Sequence, residues 1–127
     1  MRAIEKNIIK VLEKLKDVDY MTWDNFSLSA RDSIYKDRET IQYKLWNNIV
    51  FEYNRKENAY YFSFCGYSTN TTKSRLNAIF NYFNLGGFYQ KNYVVYWNNG
   101  STKIEVDTSK KYKIIFLDNH AVKIEEV

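Results

Sequence analysis

The sequence predicts an α+β fold: a mostly antiparallel sheet with one amphipathic helix packed on it, preceded by an N-terminal helical segment. Helical periodicity occurs at the start of the chain and once in its middle, whereas elsewhere short runs alternate apolar and polar residues. Aromatic residues make up 18% of the chain, with 12 Tyr and 8 Phe, and such rings pack well across strands. Consecutive short runs joined by polar turns favour a meander, in which each strand pairs with the next.

The N-terminal helical segment is predicted to span residues 1–39, and the α+β domain residues 40–127, within a single folding unit. Residues 3–16 carry one apolar stripe at helical spacing. A second short helix is predicted from Thr22 or Asp24 to about residue 35, with weaker periodicity. The residues that this second helix is expected to bury are Trp23, Phe26, Ile34 and Tyr35.

Alternation predicts three strands before the central helix and five after it. Asn47 and Asn48 are expected to form the first turn, because Asn tolerates a positive φ. Asn99-Gly100 is the strongest hairpin signal in the chain. The predicted strands cover residues 40–45, 49–53, 59–64, 88–91, 93–98, 102–106, 112–117 and 121–127.

The central helix is predicted over residues 72–84, with Thr71 or Thr72 as its N-cap and residues 85–87 as its end. Its apolar stripe should cover one face of the sheet. The stripe consists of Leu76, Ile79, Phe80 and Phe83.

Composition narrows the classes of function. A net charge of +4 suits an anionic partner without requiring one. The single His120 provides no His-based metal cluster, and the single Cys65 is expected to be a small buried residue. No apolar run reaches the ~20 residues needed to cross a bilayer, and charges interrupt the first 16 residues. We therefore expect a cytoplasmic protein of the host cell that is not an enzyme and uses no cofactor or metal.

The turn at residues 66–77 concentrates hydroxyl and basic side chains where a strand ends and a helix begins. Free backbone amides and the helix dipole favour an anion at such a place. Alternatively, the threonines only cap the helix, and Arg75 pairs with Glu52 or Asp107. The single Gly66 does not supply the Gly-rich cradle of a Walker loop. The predicted partner- or anion-binding residues are Tyr67, Thr69, Thr71, Thr72, Lys73, Arg75, Asn77 and Lys91.

Aromatic residues on the predicted strands cannot all point inward. Beside Lys91, Lys103 and Arg75 they could stack on single-stranded bases. The same surface could equally be a protein interface, where Tyr, Trp and Arg are frequent anchors. The absence of the aromatic-glycine signature of the RNA-recognition motif favours protein contact. The aromatic residues in question are Tyr61, Tyr67, Tyr89, Tyr93, Tyr96 and Trp97.

Two runs occur together in this chain: GYSTNTTKSRLN at residues 66–77 and FYQKNY at residues 88–93. Their combination resembles a domain of unknown function found in small bacteriophage and prophage proteins, over about residues 42–106. The resemblance assigns no role to Lys73, Arg75 or Asn77. It implies a phage accessory protein that works by stoichiometric binding, for example a counter-defence inhibitor, such as an anti-CRISPR protein, that occupies a host nucleoprotein. Direct DNA or RNA binding and an unrecognised enzyme are the alternatives.

Overall fold

The computed structural model describes residues 1–15, 23–118 and 121–127. Within these ranges the chain forms two helices and ten strands. The helices are α1 (Ala3–Leu15) and α2 (Asn70–Phe83). The strands are β1 (Asp24–Ser27), β2 (Asp32–Lys36), β3 (Thr40–Leu45), β4 (Asn48–Asn54), β5 (Ala59–Ser63), β6 (Gly87–Lys91), β7 (Val94–Asn98), β8 (Lys103–Glu105), β9 (Lys111–Phe116) and β10 (Val122–Glu126). Thr22 and His120 lie outside the described residues.

The strands form two antiparallel sheets, which confirms the predicted α+β class. The larger sheet has seven strands in the order β1-β2-β3-β4-β5-β9-β10, and the smaller has the order β6-β7-β8. Strands β1 to β5 are a meander, of which the part from β3 to β5 was predicted from the short polar turns. Helix α2 and the smaller sheet are inserted between β5 and β9, and the chain then returns to pair β9 with β5.

Both helices and the smaller sheet pack on one face of the larger sheet. The Phe62 ring of β5 lies 5.2 Å from the Phe80 ring of α2 and 5.1 Å from the Phe88 ring of β6. Helix α1 joins the same core through Ile8, Leu12 and Leu15. The predicted stripe of α2 is confirmed as a core element, because Leu76, Ile79 and Phe80 are buried.

The predicted second helix is wrong, because residues 24–36 form β1 and β2 instead. In β2, the side chains of Asp32, Ile34 and Lys36 are buried, whereas Ser33 and Tyr35 are half-buried. Two of the three buried positions carry a charge, so apolar residues alone do not reveal the alternation. Ile34 is buried as predicted, but Trp23 is 71% exposed.

Helix α2 begins two residues earlier than predicted. Its N-cap is Thr69, whose Oγ1 accepts a hydrogen bond from the Thr72 amide at 3.2 Å. Its C-cap is Asn84, whose φ of 57° is left-handed and whose amide donates to the carbonyls of Asn81 and Phe80. The Thr-rich turn therefore caps the N-terminus of α2, and it follows shortly after the end of β5.

Candidate functional site

Several turns meet at one end of the two sheets, beside the start of α2. The Gly66 amide, after β5, donates a 2.7 Å hydrogen bond to the Thr108 carbonyl, before β9. The Trp46 amide, between β3 and β4, donates a 2.8 Å hydrogen bond to the Arg31 carbonyl, before β2. The β6–β7 turn lies next to them, where Tyr93 and Ser68 line a common groove.

Three large aromatic side chains are exposed at this end. Trp46 is 66%, Tyr67 57% and Tyr93 95% exposed. We call the surface that they define, together with Arg31, the aromatic end. Exposed aromatic residues of this size on several neighbouring turns are typical of a contact surface.

A cleft of about 330 Å³ lies between Trp46 and Tyr67. Buried side chains of Leu45, Val50 and Phe64 give it an apolar lining. Cys65 was expected to be buried, but it is half-buried in the cleft wall, with Sγ 3.3 Å from the Ile49 carbonyl. The polar part of the wall is made by Arg31, Asn48, Thr69, Thr71 and Thr72.

Two of the exposed aromatic residues have a backbone conformation that disfavours them. The β3–β4 turn has positive φ at Trp46 (51°) and Asn47 (65°), and the β6–β7 turn at Asn92 (52°) and Tyr93 (66°). Two-residue hairpin turns of this kind prefer Asn, Asp or Gly at both positions. A bulky residue there costs about 1–2 kcal/mol. The predicted Asn47-Asn48 turn is therefore wrong by one residue, and the sequence misses Trp46 because the neighbouring asparagines suggest the later position.

Four of the predicted site residues line the cleft: Tyr67, Thr69, Thr71 and Thr72. The others lie elsewhere. Lys73 Nζ is 3.4 Å from Asn70 Oδ1 and 3.5 Å from Gln90 Oε1, on another side of α2. Asn77 Nδ2 donates to the Phe88 carbonyl at 3.0 Å, and Asn77 Oδ1 accepts from the Phe88 amide at 2.7 Å. These two hydrogen bonds join α2 to the smaller sheet. Lys91 is exposed at the end of β6.

Arg75 is 1% exposed, so the expectation that it points outward is wrong. Its Nη1 lies 2.9 Å from Glu5 Oε2 of α1, and its Nε lies 2.8 Å from Asp32 Oδ1 of β2. The suggested partners Glu52 and Asp107 are also wrong. Both real partners come from the N-terminal segment, which local sequence patterns do not connect with α2.

The two carboxylates are further satisfied by hydroxyl groups. Glu5 accepts a 2.6 Å hydrogen bond from Ser74, and Asp32 accepts one from Ser29 at 2.6 Å and another from Tyr43. We call these residues with Arg75 the buried charge cluster. Burial alone would raise the pKa of both carboxyls, but the hydrogen bonds and the Arg75 charge outweigh it, and the pKa of each is lowered.

The buried charge cluster makes folding stability depend on pH. A carboxyl whose pKa is lower in the folded state stabilises the fold above its unfolded pKa, and this stabilisation is lost as the pH falls through the folded pKa. The unfolded values are 4.5 for Glu5 and 3.8 for Asp32. Above about pH 5.5 we expect these two groups to cause no change of the melting temperature with pH. Below about pH 4 we expect their protonation to lower the melting temperature as the pH falls. Thermal melts across this range measure the effect. Asp32→Asn, which cannot titrate at this site, should give a shallower acid decline, and an equally steep decline would contradict the assignment.

Fold and site together define a small α+β protein in which three of the five exposed aromatic residues in the described ranges lie on turns at one end. The chain belongs to the Kyanoviridae Gp96 protein family, whose model matches residues 1–122. It is therefore a phage protein, which confirms the resemblance seen in the sequence and extends the match through the N-terminal segment. Comparisons with curated proteins and with solved structures give no match. Neither described helix is long and apolar enough to cross a membrane.

Proposed function

We propose that this phage protein is a non-catalytic binding protein that attaches stoichiometrically to a host protein through the aromatic end. The observation that carries the proposal is the placement of Trp46 and Tyr93 at left-handed turn positions while both remain exposed. Asn or Gly at these positions would serve the fold better. A cost of this kind, without burial in return, is typical of residues that act in a contact with another molecule.

The chemistry of the aromatic end suits a protein partner. Trp, Tyr and Arg are the residues enriched at the energetic centres of protein interfaces. The apolar cleft between Trp46 and Tyr67 has room for one large side chain of the partner. Arg31 on its wall carries the one formal charge among the lining residues. Its Nε lies 3.9 Å from buried Asp32, and the exposed part of its side chain would favour a carboxylate of the partner nearby.

A counter-defence role, such as inhibition of a CRISPR effector or another host nucleoprotein, is the specific form of this proposal. It is supported by the phage family and by a surface suited to occupying a partner. A tagged protein would be used to capture partners from a lysate of the host. Recovery of a nucleoprotein with the wild type, and loss of its activity on addition of equimolar protein, would support this role. Recovery of no host protein would contradict it.

The variant Trp46→Asn separates binding from folding. We expect it to be at least as stable as the wild type, and up to about 1–2 kcal/mol more stable, because Asn adopts the left-handed backbone conformation at a lower energetic cost than Trp. We also expect it to bind the captured partner at least ~30-fold more weakly, which corresponds to the loss of a residue worth about 2 kcal/mol at the centre of an interface. Chemical denaturation and calorimetric titration measure the two effects.

Trp23→Ser is the matched control, because Trp23 is 71% exposed but precedes β1, at the opposite end of the sheet. Its binding should equal that of the wild type. If Trp46→Asn bound the partner normally, the contact surface would lie elsewhere. If it lost stability, the turn would not be under the strain on which the proposal rests.

A further inference from the structure

The larger sheet has a second face, opposite the helices and the smaller sheet. In the described part of the chain no helix or strand packs on it. We call it the open face. Because side chains alternate along a strand, the outward residues follow from the register. They include Tyr35, Gln42, Lys44, Glu52, Tyr61, Lys111, Lys113, Lys123 and Glu125.

One row of side chains crosses the open face from β2 to β9. Tyr35 lies opposite Gln42, Gln42 opposite Glu52, Glu52 opposite Tyr61, and Tyr61 opposite Lys113. Strands are spaced by about 4.8 Å, so the two tyrosines are about 14 Å apart. Each therefore offers a separate aromatic surface along the same row.

Lysine ammonium groups lie over both rings. Lys44 Nζ is 5.1 Å from the centre of the Tyr35 ring, and Lys111 and Lys113 Nζ are 4.6 and 5.9 Å from that of Tyr61. Of these lysines, Lys111 is also 3.5 Å from Glu52. Neither Lys44 nor Lys113 has a carboxylate within 4.0 Å among the described residues. The outward strand positions named above carry four lysines and two glutamates. At the ends of the strands, the carboxylates of Asp37 and Glu57 accept hydrogen bonds from the hydroxyls of Tyr35 and Tyr61, at 3.2 and 2.6 Å.

We propose that the open face binds single-stranded nucleic acid, with its lysines on the phosphates and Tyr35 and Tyr61 stacked on bases. A lysine over a half-buried ring at the surface is held weakly, so it can move to a phosphate while a base takes its place. Positive charge tracking the backbone, beside aromatic rings, is how proteins bind single strands without sequence preference.

A protein partner fits this face less well. The centre of a protein interface is depleted of charged residues and rich in apolar ones. On the open face the centre is polar, made of Gln42, Glu52 and the rim of Tyr61, with lysines on either side. The aromatic end has the opposite character, so the two surfaces suit different partners.

The test is fluorescence anisotropy of a labelled oligothymidine or oligouridine of about 12 nucleotides, titrated with the full chain. Between about 50 and 200 mM salt, a plot of log Kd against log salt concentration should rise with a slope of about 0.7 per phosphate contact, or about 2 for three lysines. Lys44→Gln and Lys113→Gln should each reduce this slope by about 0.7. Tyr61→Leu should weaken binding by about 5–150-fold with the slope retained.

Lys14→Gln is the control, since Lys14 is exposed on α1, on the other side of the sheet. It should bind like the wild type, as should Trp46→Asn, so failure here and failure of the aromatic end are distinguishable. Melting curves would show that each variant is folded. Absence of saturable binding at 50 mM salt would overturn the proposal, as would an unchanged slope in the Lys44→Gln/Lys113→Gln double variant. Equal affinity for a duplex of the same length would also overturn it, because a duplex has no free bases to stack.

Discussion

Replacement of Arg75 by Met is expected to lower the free energy of unfolding by about 3–5 kcal/mol. The guanidinium is the positive charge hydrogen-bonded to both Glu5 and Asp32, which are buried with it. Without it, Glu5 would lose the cation that it contacts, and Asp32 would keep only the exposed Arg31 at 3.9 Å, so desolvation would no longer be offset. Urea denaturation followed by circular dichroism measures the loss.

Lys73→Met is the matched control, because it also replaces a cationic side chain by Met, two residues away on α2, but at a half-buried position. Its effect should stay within about 0.5 kcal/mol. A triple variant with Arg75→Met, Glu5→Gln and Asp32→Asn should recover part of the lost stability. Neutralising all members of a buried ion-pair network destabilises the fold less than removing one member and leaving the others charged. A loss below 1 kcal/mol in Arg75→Met alone would show that the cluster is not closed as described.

Phe80→Ala is expected to cost about 3–5 kcal/mol, the range for truncation of a fully buried Phe. The Phe80 ring is 0% exposed and lies 4.7 Å from Phe88 and 6.1 Å from Phe51, as well as against Phe62. It therefore joins α2 to both sheets at once, and the cavity left behind would border all three. Differential scanning calorimetry measures the change.

The control for this variant is Asn81→Ala, the next residue of α2, whose side chain is exposed. Alanine suits a helix at least as well as Asn, so no loss is expected there. A Phe80→Ala protein that melts within a degree of the wild type would contradict the position of α2 on the larger sheet.

Local patterns were sufficient for much of the fold. The change of period at Gly66 located α2, and its stripe identified Phe80 as a core residue. The polar turns between β3, β4 and β5 predicted the meander, and Asn99-Gly100 predicted the β7–β8 hairpin. These features depend on residues within one element or on neighbouring strands, which a single sequence shows directly.

The rest depends on contacts between distant parts of the chain. Strand β2 was missed because Asp32 and Lys36 occupy buried positions. Asp32 is stable there because Arg75 reaches it from α2 and because the hydroxyls of Ser29 and Tyr43 donate to it. For the same reason Arg75 was taken for an exposed cation. Tyr67 and the three threonines that line the cleft were named from the sequence as part of a binding turn, without the cleft itself. Arg31 and Trp46 come from turns that only the paired sheet brings near them.

The buried charge cluster also has a consequence for synthesis on the ribosome. Arg75 contacts Glu5 across 70 residues and Asp32 across 43. Helix α1 is synthesised before α2, and α2 emerges only after the whole meander has been translated. Because short isolated helices are marginal in water, we expect α1 to stay largely unfolded on the ribosome until α2 has left the exit tunnel.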